Sequence, residues 1–263
     1  MDLRLDGRVA LISGSTKGIG FAIARILAAE GVRVIVNGRS DSAVSDAIAA
    51  IQAEVPGTHV GGFAGDLSTA DAATALATRF PDVDILVNNL GVFERKAFDQ
   101  IVDADWQRYF DINVMSGVRL ARAYLPGMKQ RDWGRIVFIS SESGIQIPGD
   151  MIHYGMTKTA QLAISRGLAE TCVGTGVTVN AVLPGPTLSD GNLAAIARRA
   201  PGKPIEEVEK EFFEKVRPTS LLKRYATPDE VASMVAYVCS PLASATNGAA
   251  LRVEGGVVRA CFG

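Results

Sequence analysis

The chain has 263 residues, of which 27 are basic and 28 are acidic, so its formal net charge is -1. Hydrophobic residues make up 48% and charged residues 21%, which is typical of a globular protein. This balance lacks the surplus of Lys and Arg that a nucleic-acid-binding surface needs. We therefore expect no nucleic-acid partner.

The cysteines and the N-terminal segment exclude other classes of protein. Cys172, Cys239 and Cys261 are widely spaced and odd in number, which predicts neither a disulfide framework nor a metal site. Residues 1–7 are charged and lack the apolar stretch of a signal peptide. No apolar run reaches the roughly 18 residues that a membrane span requires. We expect a cytoplasmic protein without a bound metal or a membrane contact.

Short apolar runs alternate along the chain with longer segments of helical periodicity. In chain order, the predicted elements are a strand at 9–13, a helix at 18–30, a strand at 34–36, a helix at 42–54, a strand at 60–64, a helix at 69–79, a strand at 85–88, a helix at 105–129, a strand at 135–140, a helix at 152–171, a strand at 177–183, a helix at 228–239 and a strand near 250–253. Strands that are apolar throughout are typical of parallel sheets covered on both faces. The pattern predicts one domain over residues 1–263, with a doubly wound, Rossmann-like parallel sheet in three α/β/α layers.

One long segment, residues 184–220, interrupts this alternation between a strand and the last helix. In such sheets ligands bind beyond the carboxyl ends of the strands, and a long connection on that side is usually functional. We interpret residues 187–218, called here the lid segment, as a mobile lid over the active site. A passive surface insertion is the alternative.

A glycine-rich loop with the spacing G-x-x-x-G-x-G follows the first strand at Gly14, Gly18 and Gly20. Glycines permit a tight turn and close approach of the backbone to a ligand. The helix that follows offers unpaired N–H groups and the positive end of its dipole. The loop therefore predicts a pyrophosphate site, with an ordinary strand-to-helix turn as the competing interpretation.

The end of the second strand indicates which dinucleotide is bound. NAD enzymes usually place a carboxylate there, to bind the ribose 2′-hydroxyl. Here Arg39 occupies that region and no acid occurs before Asp41. Arg39 can pair with a 2′-phosphate through two hydrogen bonds, and Lys17 could approach the same phosphate. These two cations favour NADP(H).

Tyr154 and Lys158 form a Y-x-x-x-K pattern at the start of a predicted helix. Residues four apart share a helix face, so the phenol and the ammonium can point into one site. A free tyrosine has a pKa of about 10, too high for a base at neutral pH, and a neighbouring cation lowers that pKa. The pattern predicts a proton-transferring tyrosine. The same spacing also arises by chance, with the tyrosine in the core and the lysine in solvent.

Polar and turn-forming residues collect where the predicted strands end. Each of them singly could be a turn or a helix cap, but their joint order along the chain is harder to dismiss. These residues are Asp66 with Leu67, Asn88–Asn89–Leu90–Gly91, Ser140–Ser141 and Pro184–Gly185–Pro186–Thr187, with Asn113 in the helix before the third of these strands.

In this order the motifs resemble those of the classical short-chain dehydrogenase/reductase family over essentially the full chain. The matched positions are 13–20, Asp66, 88–91, Asn113, Ser141, Tyr154 with Lys158, and Pro184 with Gly185. The family spacing to Tyr154 selects Ser141 over Ser140. Two departures are small: Leu90 stands where the family most often has alanine, and Ser13 replaces the usual threonine.

The resemblance implies a role for each catalytic position. Tyr154 exchanges a proton with the substrate oxygen, and Ser141 hydrogen-bonds and polarises that oxygen. Lys158 binds the nicotinamide ribose hydroxyls and lowers the pKa of the tyrosine. Asn113 is similar to the residue that holds a water between Lys158 and solvent, which completes a proton relay.

The resemblance also implies which residues bind NADP(H). Asp66 and Leu67 resemble the adenine pocket, Asn89 lies beside the adenosine ribose, and Thr187 lies near the nicotinamide carboxamide. The full set of expected cofactor contacts is Gly14, Ser15, Thr16, Lys17, Gly18, Ile19, Gly20, Arg39, Asp66, Leu67, Asn89, Gly91, Tyr154, Lys158, Pro184, Gly185 and Thr187.

Five further residues are expected to border the substrate: Phe93, Glu94, Glu142, Gln146 and His153. His153 adjoins Tyr154, but neighbouring helix residues point in different directions. We therefore interpret His153 as an edge of the substrate pocket or as a satisfied surface residue, and not as a catalytic one.

We expect an NADP(H)-dependent oxidoreductase that moves a hydride between nicotinamide and the carbonyl or secondary alcohol of a small molecule. A 3-oxoacyl-thioester reductase is an alternative that shares every motif. A dinucleotide-binding sensor without turnover would not need the intact proton relay, and a nucleotide-sugar epimerase or dehydratase usually has a longer C-terminal domain. Members of the family that the chain resembles are usually tetramers or dimers. We therefore expect a homotetramer or homodimer, with the apolar tail at 253–262 as a candidate interface.

Overall fold

A computed structural model describes residues 1–261. Seven parallel strands form one sheet in the order β3-β2-β1-β4-β5-β6-β7. The strands are β1 (Val9–Ile12), β2 (Arg33–Gly38), β3 (Val60–Ala64), β4 (Ile85–Asn88), β5 (Gly134–Ile139), β6 (Val177–Pro184) and β7 (Ala250–Val253). The helices are α1 (Gly18–Ala29), α2 (Asp41–Glu54), α3 (Ala70–Arg79), α4 (Asp103–Phe110), α5 (Ser116–Gln130), α6 (Ile152–Glu170), α7 (Asp190–Arg199), α8 (Ile205–Lys215) and α9 (Pro228–Cys239).

Helices cover both faces of the sheet, and successive strand residues alternate between two cores. In β4, Ile85 and Val87 pack against the side that holds α1, α2 and α9. Leu86, between them, packs against the side that holds α3, α5 and α6. Because both faces are buried, β4 carries apolar residues at three successive positions, Ile85, Leu86 and Val87. The predicted doubly wound α/β/α domain is confirmed.

The second strand extends further toward the ligand side than the predicted 34–36. Asn37 and Gly38 pair in register with Phe63 and Ala64 of β3. Asn37 also uses its side chain there, since Nδ2 donates to the Phe63 carbonyl over 3.1 Å. Asn37 and Gly38 interrupt the apolar run, so the sequence pattern does not predict this end of the strand.

The predicted single helix at 105–129 is divided in the structure. A π-helical turn, Asp111–Met115, separates α4 from α5. It contains Asn113, whose side chain is buried and hydrogen-bonded to a neighbouring loop. Such wide turns are local departures from the α-helix that often occur at functional sites, and a periodic apolar pattern does not reveal them.

The lid segment folds into α7 and α8, which build a small core together with Tyr225, just beyond the segment. That core consists of Ile196, Val208, Phe213 and Tyr225, all of them buried. The segment is therefore an ordered cover on the ligand side of the sheet, and its mobility stays a prediction.

Two other expectations concern membranes and the C-terminal tail. Over residues 1–261, no helix combines the length and the apolar character that a bilayer crossing demands. The expected interface at 253–262 falls partly outside the described residues, since Phe262 lies beyond them.

The start of α9 provides a test of the fold's local stability. Thr227 Oγ1 accepts from the Glu230 N–H at 3.2 Å, and Glu230 Oε2 accepts from the Thr227 N–H at 2.8 Å. Thr227→Ala should lower the free energy of unfolding by about 1 kcal/mol, because the side-chain cap is lost. Urea unfolding measures this change as a lower midpoint at unchanged slope. Thr74→Ala, at an exposed position within α3, removes no cap and should not lower the midpoint.

Candidate functional site

A cleft of about 640 Å³ opens at the carboxyl edge of the sheet. It runs from the glycine loop, past the ends of β4, β5 and β6, to the lid segment. Of the predicted site residues, it is lined by Gly14, Lys17, Gly18, Ile19, Gly20, Asn89, Gly91, Ser141, Tyr154, Lys158, Pro184, Gly185 and Thr187. One continuous cavity thus joins the predicted cofactor loop to the predicted catalytic residues.

The glycine loop packs too closely for side chains at its critical positions. Gly14 and Gly18 have φ of 60° and 59°, a conformation that favours glycine. A Cβ on Gly20 would lie 2.4 Å from Asn89 Nδ2 and 2.6 Å from the Gly14 carbonyl oxygen. Asn89 Nδ2 donates to the Ser13 and Gly14 carbonyls at 3.0 and 2.9 Å. This amide locks the loop to the end of β4.

The start of α1 has no capping side chain and no acidic residue in its first turn. The Gly18 N–H donates instead to Asp190 Oδ2 of α7 at 2.8 Å. A carboxylate therefore already meets the positive end of this helix, as the dipole favours. The same backbone N–H groups are suited to a phosphate.

At two positions of the glycine loop that are predicted to contact the cofactor, the side chain instead packs within the protein. Ser15 is fully buried; its hydroxyl donates to the Ile12 carbonyl at 2.7 Å and accepts from the Asn37 N–H at 2.9 Å. Thr16 packs on Gly38, where an added Cβ would lie 2.5 Å from Thr16 Cγ2. These contacts draw the loop to the end of β2, where Arg39 follows.

The expected adenosine-end residues surround the carboxyl ends of β2 and β3, beyond the lining of the cleft. Arg39 is exposed, and no carboxylate of residues 1–261 pairs with it. Asp66 Oδ1 accepts from the Ser68 N–H at 3.0 Å and so shapes the turn after β3. Leu67 is 1% exposed, so its side chain belongs to the core and only its backbone can face a ligand.

The catalytic candidates come together at the start of α6. Lys158 Nζ lies 5.7 Å from the centre of the Tyr154 ring, so the two side chains share one side of the helix. The ammonium is buried; it donates to the Ile139 carbonyl at 2.8 Å and to Gln161 Oε1 at 3.2 Å. Ser141 stands buried at the end of β5, in the same cleft.

Asn113 connects α6 to the loop after β4. Its Oδ1 accepts from the Val92 N–H at 2.8 Å, and its Nδ2 donates to Thr157 Oγ1 at 3.0 Å. Its backbone carbonyl accepts from Gln161 Nε2 at 2.6 Å. Gln161 thus bridges Lys158 and Asn113. Sequence reasoning missed it, although its position three residues after Lys158 was an available signal.

Burial shifts the pKa values of both Tyr154 and Lys158. Desolvation lowers the pKa of Lys158 to about 7. Burial also raises the pKa of Tyr154 above its ordinary value, while the nearby Ser141 hydroxyl and the Arg217 cation act in the opposite direction. The expected lowering of the Tyr154 pKa is therefore absent in this arrangement, because burial outweighs the nearby charges.

The substrate-facing expectations are met only in part. Phe93 is exposed and its ring meets the Tyr154 ring edge-on, with the centres 6.2 Å apart. Glu142 lines the cleft as expected, but it is buried and paired with Arg217. His153 is fully buried with its ring centre 4.2 Å from that of Tyr109, so its interpretation as a pocket edge or surface residue is wrong. A helix turn that packs on α4 buries this side chain.

The lowered pKa of Lys158 predicts how stability depends on pH. Between about pH 7 and 10 the unfolded lysine binds more protons than the folded one, so its cost to stability shrinks as the pH rises. Lys158→Met should therefore stabilise the fold more at pH 7 than at pH 9. Urea unfolding at both pH values measures the difference from wild type, with Lys210→Met on exposed α8 as the matched control. A difference for Lys158→Met that is equal at both values would contradict this assignment.

Comparison with known proteins supports the architecture over the whole chain. The family described as enoyl-(acyl carrier protein) reductase matches residues 14–258. The uncharacterised oxidoreductase YvaG of Bacillus subtilis (strain 168) is 46% identical over 264 residues, covering 100% of both chains. The 3-oxoacyl-[acyl-carrier-protein] reductase FabG of Aquifex aeolicus (strain VF5) is 32% identical, covering 98% of this chain and 100% of that protein.

The solved structures include a similar enzyme with its ligands. L-Sorbose reductase from Gluconobacter frateurii, complexed with NADPH and L-sorbose, superposes with a TM-score of 0.90 at 30% identity. The match covers 99% of this chain and 100% of that one. The parallel sheet, the glycine loop and the matched relatives agree, and the chain belongs to the short-chain dehydrogenase/reductase family of oxidoreductases.

Proposed function

We propose that this protein is an NADP(H)-dependent oxidoreductase that interconverts a carbonyl and a secondary alcohol, with Tyr154 as the acid/base. The observation that carries the proposal is the single cleft in which Tyr154, Lys158 and Ser141 open onto the glycine loop. A proton-transferring group and a dinucleotide loop within one cavity are what hydride transfer to a carbonyl requires.

The residues of the cleft fit a dinucleotide. The backbone N–H groups at the start of α1 have no cap within their own helix and suit a pyrophosphate. The close packing of Gly20 against Asn89 leaves the loop without a side chain between backbone and ligand. Gly91, Pro184, Gly185 and Thr187 would border the nicotinamide half, which supplies the hydride when bound.

Tyr154 would give its proton to the substrate oxygen during reduction and take it back during oxidation. The raised pKa of Tyr154 keeps the phenol protonated, which suits the reductive direction. Lys158, with its pKa lowered to about 7, can exchange protons near neutral pH. Gln161 and Asn113 connect it to the loop after β4, and we assign to these contacts the positioning of the Lys158 amine.

The choice of NADP(H) over NAD(H) rests on Arg39 and Lys17. Both side chains are exposed, one at each side of the contact between Thr16 and Gly38. A guanidinium and an ammonium near the adenosine ribose would bind a 2′-phosphate. The NADPH bound to the related L-sorbose reductase supports this choice.

A second candidate function is the reduction of a 3-oxoacyl thioester. Its support is the likeness to the Aquifex FabG along nearly the whole chain. A substrate panel of ketones, secondary alcohols and a 3-oxoacyl thioester, followed by NADPH absorbance, separates the two. A cytoplasmic location and a homotetrameric or homodimeric assembly remain predictions from the sequence.

Tyr154→Phe tests the acid/base. We expect kcat to fall by roughly a hundredfold or more, the scale of general acid–base catalysis, while the cofactor still binds. Tyr124→Phe is the matched control, because that phenol is buried in α5 away from the cleft. Stopped-flow turnover and NADPH fluorescence measure the two properties. Near-normal turnover of Tyr154→Phe would remove this residue from the mechanism.

Arg39→Asp tests the cofactor assignment. The variant should shift the ratio of kcat/KM for NADPH over NADH toward NADH, because a carboxylate repels a 2′-phosphate and accepts from a 2′-hydroxyl. Arg33→Asp, at the opposite end of the same strand, should leave the ratio unchanged. An unchanged ratio in Arg39→Asp would refute the phosphate assignment.

A further inference from the structure

Glu142, directly after the candidate catalytic serine, is buried and hydrogen-bonded to it. The Ser141 hydroxyl donates to Glu142 Oε2 at 2.6 Å. The same carboxylate oxygen accepts from the backbone N–H of Ser143 at 2.6 Å and from its hydroxyl at 2.9 Å. The Ser143 N–H also lies 3.1 Å from Ser141 Oγ. One carboxylate oxygen therefore organises the turn that presents Ser141 to the cleft.

The other oxygen of the carboxylate reaches the lid segment. Arg217 Nε donates to Glu142 Oε1 at 3.0 Å, across 75 residues of sequence. The side chains of Arg217 and Glu142 are only 11% and 5% exposed. Arg217 follows α8, and two residues later Thr219 Oγ1 donates to the carbonyl of Val257, in the segment that follows β7, at 2.6 Å. The end of the lid segment is thus joined to the serine through a single carboxylate.

These bonds determine what Ser141 can offer to a substrate. A hydroxyl has one hydrogen to donate and two lone pairs to accept with. The Ser141 hydroxyl donates its hydrogen to Glu142, and one of its lone pairs accepts from the Ser143 N–H. The oxygen therefore keeps one free accepting position. To donate to a carbonyl, Ser141 must turn its hydrogen away from Glu142. The placement of this carboxylate therefore decides how easily the serine polarises its target.

We propose that Glu142 is a positioning residue for Ser141 and that Arg217 holds Glu142 in place, so that the lid segment sets the orientation of the catalytic serine. The inference rests on the proposed function, since it assigns a role to Ser141 in the reaction. A buried ion pair often contributes little net stability, so stability alone does not explain a pair at this place. The position of the pair beside Ser141, a reacting group in the proposed function, does explain it.

The charges of the pair also act on Tyr154. Glu142 raises the pKa of Tyr154 and Arg217 lowers it, both more weakly than burial, which raises it. The other ionisable groups around this phenol are Lys158 on α6, Tyr109 on α4 and Glu94 with Arg95 on the loop after β4. Removing the charge of Glu142 should shift the pH profile of kcat to lower pH, and removing that of Arg217 should shift it to higher pH.

The test uses Glu142→Gln, Arg217→Met and Arg217→Lys in the full chain, with the best substrate of the panel. Glu142→Gln and Arg217→Met should each lower kcat by about 10- to 100-fold, the scale of a misplaced reacting group, with a smaller change in KM. Arg217→Lys should recover part of the loss. Glu211→Gln, which breaks the exposed pair with Lys203 in the same lid segment, is the matched control and should leave kcat unchanged.

A double-mutant cycle separates positioning from general damage. In a Ser141→Ala background, Glu142→Gln should have almost no further effect on kcat, because the hydroxyl that it orients is absent. Where a single variant fails to fold, the double variant Glu142→Gln/Arg217→Met removes both charges together and enters the same cycle. Circular dichroism checks the fold of each variant.

The outcomes distinguish this inference from the proposed function. An additive loss in the Ser141→Ala background would overturn the positioning role. So would pH profiles of Glu142→Gln and Arg217→Met that shift in the same direction. In both cases, turnover by the wild type would still support the proposed function. A wild type that turns over no carbonyl or alcohol of the panel would remove the proposed function, and the positioning role with it.

Discussion

The burial of the Lys158 ammonium is the constraint on which the site depends. A buried charge needs hydrogen-bond partners, and Lys158 finds them in the Ile139 carbonyl at the end of β5 and in Gln161. Helix α6 can therefore dock on the sheet only in the register that brings this side chain to that strand end. The same register carries Tyr154 into the cleft one turn earlier, and Thr157 against Asn113.

Close backbone packing makes that register accessible. A Cβ on Gly144 would lie 3.0 Å from the carbonyl carbon of Lys158, and one on Gly155 would lie 3.0 Å from the Ser143 carbonyl oxygen. The turn after β5 thus lies directly on α6, which places Ser141 beside Tyr154. Similar packing at Gly20 locks the glycine loop to the end of β4. Both halves of the cleft depend on positions where a side chain would keep the elements apart.

The lid segment contacts both halves of the cleft. Near its start, Asp190 accepts a hydrogen bond from the glycine loop, and at its end Arg217 pairs with Glu142 beside Ser141. Between these contacts, the small core around Phe213 gives the segment an interior of its own. These two contacts and the core between them hold the segment over both halves of the cleft at once.

Much of the site could be predicted from the sequence, because its chemistry lies in short-range patterns. Helical spacing joins Tyr154 to Lys158, and the apolar strands place Ser141 and Asn89 at one sheet edge. Local patterns could not reveal the pair between Glu142 and Arg217, which lie 75 residues apart, or the burial of His153 under α4. Nor do they mark the wide turn at Asn113, since its apolar periodicity is that of an ordinary helix. The sequence by itself thus determined the layered fold and the candidate reacting groups. Only the tertiary structure decided which charges stand beside them, because burial and contact between distant segments exist only once the chain is packed.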